Sequence, residues 1–377
     1  MNSPLYNIYK TYDQNFDLGP IGLRGLKKPI FKKIKPRYSF LGFPVNLPFG
    51  IPAGPLLNSK FIKSAFDFGF DVVCYKTQRS VPFKCNLYPN VIFVDIDGPL
   101  TMKKADTPLL GETESGKKPK EYSITNSFGN PSRGPQMWQK DMEKAVSYAK
   151  KGQLLVASVV GTIQKGFSDE DYYDDFAHTA ELAAKTGANI IEVNLSCPNV
   201  ANEGVICYST DAVEKICNKT RKKIGSKKLL AKIGYFTKDQ NQLLEKIISK
   251  ISPFIDGIST INTIAAPIVD ENGNQALPGP QRLKSGVCGA GIKWAGLEMV
   301  KRLYKLRKKH KKNFSIIGVG GVMTPYDFLE YRKAGADLVQ SATGAMWNPY
   351  LAREIGSRLR LEGETRRHLP GDRGKRI

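Results

Sequence analysis

A closed (β/α)8 barrel of the TIM type, with long loops at its active face and an N-terminal arm, is the fold the sequence predicts. Three observations carry it. From residue 47 onward, short apolar segments rich in β-branched residues alternate with helix-like patterns. Eight such segments can be counted, at 49–53, 71–76, 153–159, 189–195, 229–233, 256–261, 315–319 and 337–341. Parallel strands buried on both faces read as unbroken apolar runs of this kind. No G-x-G-x-x-G follows the first segment, which turns the reading away from an open doubly wound sheet. The 377 residues suffice for one large barrel, and a hydrophobic content of 41% supplies its core.

Taken in order, residues 1–38 show little periodicity and carry breaks at Gly19-Pro20, Lys28-Pro29 and Lys35-Pro36, so an extended arm is expected. The opening residues, Met1 to Tyr6, have no basic segment leading into an apolar one, and no secretory leader is expected. The catalytic barrel is assigned to 39–360. Two of its loops are long. One, 77–152, contains NSFGNPSRG (126–134), and its Lys-, Glu- and Gly-rich part near 103–121 is expected to be mobile. The other, 263–291, holds the turn signal Asp270-Glu271-Asn272-Gly273 and the Gly-rich SGVCGAG. Loops of this length at an active face can form lids. Residues 361–377 read as a basic, poorly ordered tail.

In such barrels chemistry sits where the strands end. Those ends carry Ala53-Gly54, Lys76-Thr77, Asn194 to Cys197, Lys232, Asn262, Gly320-Gly321 and Ala342-Thr343. Glycines, lysines and amides hold phosphates and heterocycles; clustered carboxylates for a metal are missing there. The glycines after the last two strands can together cradle a phosphate with backbone N–H groups, although a lone Gly-Gly is more often a turn. Lys232 closes the otherwise apolar Leu229-Leu230-Ala231, where an unpaired charge is costly unless it has a task or a salt-bridge partner.

The formal charge of +22 is concentrated in runs at 27–37, 301–312 and 366–375. Such runs are usually solvated helix faces and tails, and they lack the interleaved aromatics of a single-strand nucleic-acid binder. No specific nucleic-acid partner is expected. No apolar run reaches the length of a membrane span. The six cysteines are scattered without C-x-x-C, which argues against a zinc or iron–sulfur site and fits a reducing, cytoplasmic compartment. The three histidines, His178, His310 and His368, lie outside every motif and read as structural or solvated.

The most informative stretch is Asn194-Leu195-Ser196-Cys197-Pro198-Asn199. Two carboxamides bracket a thiol after a buried strand that Pro198 stops. Amides grip a planar ligand with alternating donors and acceptors, and a cysteine can move a proton. Alone, Cys197 is more often just a buried thiol. It has company, in order along the chain: FGIPAGPLLNS (49–59), YKTQRS (75–80), NSFGNPSRG (126–134), then IGVGGV (317–322) with AGADLVQSATGA (334–345). Together these resemble the active-site segments of class 1 dihydroorotate dehydrogenases, over roughly residues 40–355.

The resemblance implies FMN as cofactor. It places Ala53, Gly54, Lys76, Thr77, Asn126, Asn194, Lys232, Gly289, Gly320, Gly321, Ala342 and Thr343 at that cofactor. It places Lys76, Asn126, Ser127, Gly129, Asn130, Asn194, Asn199, Asn262 and Thr263 at the substrate, and makes Cys197 the base that takes the C5 proton while the C6 hydride goes to the flavin. It further implies a homodimer; fumarate is the favoured electron acceptor, with a flavin–iron–sulfur partner subunit feeding NAD and other oxidants left open, and from the residues no metal and no membrane are expected. Departures are Thr263 where relatives often have serine, Cys288 where they show Gly or Ser, a longer 79–123 loop and the extra arm. A dihydropyrimidine dehydrogenase domain is the competing enzyme, disfavoured by Asn199 where those relatives have His. An RNA dihydrouridine synthase, motivated by the charge, lacks room for its helical domain after the barrel. A flavin-binding scaffold without activity is at odds with the intact Cys197, Lys232 and amides.

Overall fold

The computed structural model describes residues 2–29, 36–196 and 206–367. In chain order the elements are α1 (Tyr12–Leu18), β1 (Tyr38–Phe40), β2 (Phe43–Val45), β3 (Phe49–Ile51), α2 (Ser59–Asp67), β4 (Val72–Gln78), β5 (Pro82–Phe83), β6 (Phe93–Val94), α3 (Met102–Ala105), β7 (Leu109–Glu112), β8 (Ser123–Asn126), β9 (Ser132–Arg133), α4 (Pro135–Ser147) and β10 (Leu154–Val159). They continue with α5 (Asp169–Ala184), β11 (Ile190–Asn194), α6 (Thr210–Ile224), β12 (Lys228–Ile233), α7 (Asn241–Ile251), β13 (Gly257–Thr260), β14 (Ile264–Val269), β15 (Lys284–Gly289), α8 (Lys293–Lys309), β16 (Ser315–Val319), α9 (Pro325–Ala334), β17 (Leu338–Gln340), α10 (Thr343–Trp347) and α11 (Leu351–Arg367).

Eight strands close into a parallel barrel in the order β3-β4-β10-β11-β12-β13-β16-β17. Each coincides with one of the segments expected from sequence. Val72, Val156, Ile190, Leu230, Ile317 and Leu338 fill the interior near the strand starts, and Phe40 and Val45 of the β1–β2 hairpin join that cluster and plug this end. The helices wrap the outside over a larger apolar core.

Helix ends follow capping chemistry. Ser168 and Asp171 form a capping box that starts α5, whose first turn is acidic. Basic residues crowd the last turns: Arg221 to Lys223 in α6, Arg307 to Lys309 in α8, Arg332 and Lys333 in α9. Barrel helices run opposite to the strands, so these cations gather at the plugged end. His310 sits there beside Glu245, 2.6 Å away.

Three expectations are corrected. Residues 103–121 are not a structureless loop. They hold the short helix α3 and the strand β7, and β7 joins a second closed sheet, β14-β15-β8-β6-β7, which stands over the active face and also takes in strands from the 263–291 segment expected as a lid. The arm is not simply extended. Thr11 and Gln14 cap the short helix α1, and Leu5, Tyr6, Ile8 and Tyr12 are buried against the rest. Finally, α11 continues through Arg367, past the expected start of the tail; residues 368–377 lie outside the described residues.

Candidate functional site

Two adjoining clefts open where the barrel strands end. The larger, an open cleft of about 680 Å³, runs from Ala53 and Gly54 past Lys232 to Gly320, Gly321, Ala342 and Thr343. The smaller, about 350 Å³, holds Lys76, Thr77, Gly129, Asn130 and Asn194. Ala53, Gly54, Asn126, Phe128, Lys232 and Asn262 line both.

Each group arrives by a short physical route. Alternation along β12 turns Leu230 and Lys232 inward, and the interior register puts Lys232 opposite Asn194 on β11 and Ser259 on β13. One layer deeper lies Glu192, 1% exposed; burial raises its carboxyl above the ordinary value while Lys232 pulls the other way. Lys76, 3% exposed, comes from β4, with Nζ 5.8 Å from the centre of the Phe128 ring. Asn262 donates from Nδ2 to Asn194 Oδ1 at 3.1 Å and to the carbonyl of Ser196, which locks both amides in place. Thr77 shares a 3.0 Å hydrogen bond with Ser158.

At the far end, Gly289, Gly320 and Gly321 have φ of +104°, +123° and +63°. Side chains resist these values, and a Cβ at Gly321 would meet Lys293 and the Gly289 carbonyl within 2.8 Å. The glycines therefore let three segments meet and turn backbone toward the cleft. Helix α10 that follows has only five residues, so a phosphate there would rest on N–H groups more than on a helix dipole. Cys288 lines the same wall and takes a hydrogen bond from the Thr343 hydroxyl at 3.5 Å; burial pushes its thiol up to about 11.

All expected site residues among those described line one cleft or the other, except Ser127. Its hydroxyl oxygen instead accepts from Arg282 Nε at 2.9 Å, and it lines neither cleft. Cys197 and Asn199 lie outside the described residues. Sequence reasoning missed Tyr6 and Phe128 in the cleft walls, Glu192 beneath Lys232, and Arg282. Only Glu192 left a local trace, as a carboxylate inside an apolar strand run.

The comparisons with known proteins point one way. The dihydroorotate dehydrogenase family model matches residues 106–361. The chain is 35% identical to a dihydroorotate dehydrogenase of Dictyostelium discoideum, over 93% of this chain and 96% of that one. It is 29% identical to the catalytic subunit of dihydroorotate dehydrogenase B (NAD(+)) of Brachyspira hyodysenteriae, over 68% of this chain and 77% of that one. In structure it is similar to DHODH of Eimeria tenella with a TM-score of 0.70 at 17% identity, covering 94% of this chain and 92% of that one, a likeness of fold. By the family match and the near full-length relative, the chain belongs to the dihydroorotate dehydrogenase family.

Proposed function

We propose that this chain oxidises dihydroorotate to orotate in pyrimidine biosynthesis and that it is of the class 1, cysteine-base kind. Enzymes of the family are FMN-dependent flavoproteins, and the residues present fit FMN. A Cβ at Gly54, which lines both clefts, would meet nothing within 4 Å, so the cleft wall there is open for a flat ring. The positive-φ glycines at the far end suit its phosphate. The single observation that carries the reading is the convergence of two buried lysines and three amides, Asn126, Asn194 and Asn262, beside that glycine cradle.

FMN, when bound, supplies the acceptor for the hydride from C6. The chain's own residues do the rest. Lys232 and Lys76 place positive charge where negative charge gathers. Asn194 and Asn262, held by their mutual hydrogen bond, orient a ring's carbonyl and N–H edges. Cys197 is assigned the C5 proton, so that a C5=C6 double bond forms as proton and hydride leave. The turn Gly129-Asn130 lines the smaller cleft and suits the ring carboxylate with backbone N–H groups. Fumarate as acceptor, a homodimer and a cytoplasmic location complete the proposal. Among the described residues no helix is long and apolar enough to cross a membrane.

The test is a flavin spectrum of the purified protein, repeated after anaerobic dihydroorotate. The flavin band should bleach, fumarate should restore it, and orotate should perturb it at far lower concentration than uracil. Two charge-assisted hydrogen bonds of roughly 1.5–3 kcal/mol each correspond to about 10²–10⁴-fold. Equal binding of uracil would hand the chain to the dihydropyrimidine reading instead.

A further inference from the structure

Arg282 lies in the second closed sheet's connection, 5% exposed, and all of its nitrogens donate. Nε reaches Ser127 Oγ at 2.9 Å. One terminal nitrogen reaches the carbonyls of Leu87 at 2.7 Å and Pro278 at 3.0 Å. The other reaches the carbonyls of Pro89 at 2.6 Å and Ser127 at 3.4 Å. Every acceptor is a neutral oxygen, and among the described residues no carboxylate pairs with it. Burial pushes the guanidinium down to about 10, which leaves it charged at neutral pH. Its neighbour Cys85 cannot neutralise it, since burial pushes that thiol up to about 12. A buried cation without a counter-charge is costly. The residues flanking its anchor Ser127, Asn126 and Phe128, line both clefts. The other end of the same turn is held by a second buried guanidinium: Arg79 Nε donates to the Asn130 carbonyl at 2.9 Å.

We propose that Arg282 is a specificity-determining positioning residue. It fixes the Ser127–Asn130 turn to the 87–89 and 278 segments and leaves an unpaired positive charge behind that turn, so that a carboxylate-bearing ring binds in preference to its neutral analogue. A carboxylate in the smaller cleft supplies the counter-charge the protein omits, and in a poorly screened interior such a charge acts through several ångströms. The inference rests on the proposed substrate class.

The test uses the FMN-loaded enzyme and reads ligand binding from flavin absorbance, with orotate and uracil as probes. Arg282→Gln removes the charge; Arg282→Lys keeps it and loses the fork. The Gln variant should weaken orotate by about tenfold and uracil by less than about threefold. The Lys variant should keep the orotate-to-uracil preference within about threefold. Equal weakening of both ligands in the Gln variant would mean that Arg282 only braces the loop, and unchanged orotate binding would mean it does neither; both overturn the proposal. If the Gln variant does not fold, the Lys variant decides, and a collapsed preference there overturns it. Wild-type protein that binds no orotate would sink the proposed function itself, and this inference with it, before any variant is made.

Discussion

Asn262 shows how much a single side chain decides. Both hydrogens of its amide are committed to Asn194 and Ser196, which leaves its oxygen as an acceptor at a residue lining both clefts. Asn262→Ala should therefore loosen Asn194 as well, and weaken orotate by more than one lost hydrogen bond, on the order of 10²-fold, as an orotate titration would reveal. Cys197 carries a different burden. Assigned to proton removal and not to the cofactor, it should be replaceable by Ala with FMN retained and flavin reduction slowed about 10²–10⁴-fold. Stopped-flow reduction at the wild-type rate would remove it from that role.

At the scale of elements, the N-terminal arm belongs to the site. Tyr6 lines the larger cleft and meets Phe128 edge-on at 5.6 Å, and Tyr12 meets the same ring at 6.1 Å. Asp13 pairs with Arg133 at 2.6 Å, and Arg133 lies over Phe16. The arm thus grips the loop that carries Asn126 to Asn130. Tyr12→Ala leaves a cavity under Phe128 and should cost roughly 2–4 kcal/mol in urea unfolding, with weaker orotate binding. Asp13→Asn, at an exposed pair, should cost less than about 1 kcal/mol. A Tyr12 variant as stable as wild type would show that the arm merely rests on the barrel.

Across the whole molecule, the last turns of several barrel helices are basic. The basic helix ends lie at the plugged end of the barrel, away from the clefts, where they favour the helix dipoles. Binding to tRNA should accordingly be weak and vanish with added salt. At the same end Asp71 is 4% exposed, and burial holds its carboxyl up at about 7 against an ordinary 3.8, despite hydrogen bonds from Asn46, Gln153 and the Leu47 N–H. Between these values the folded protein keeps a proton that the unfolded chain releases. Stability therefore falls as pH rises through that window, and the cost is complete above it. Asp71→Asn should remove this dependence and leave the variant more stable than wild type at pH 8, on the order of a few kcal/mol, but not at pH 4. Thermal unfolding at the two pH values checks it.

The eight barrel strands and the residues at their ends were legible in the chain because their cause is local. A strand buried on both faces must be an apolar run, and the polar residue that closes it stands at the mouth. Lys232 and Lys76 are conspicuous for that reason. What only the tertiary structure decided has its cause far along the chain. Residues 109–112 form a strand because Leu109 and Leu110 pair with Ile268 and Val269, a partner no local pattern announces. The arm's aromatics matter because Phe128, more than a hundred residues away, waits for them. Ser127 turns from the cleft because Arg282, 155 residues later, takes its hydroxyl oxygen. A side chain's type is written locally, but which way it faces depends on the partner that folding delivers.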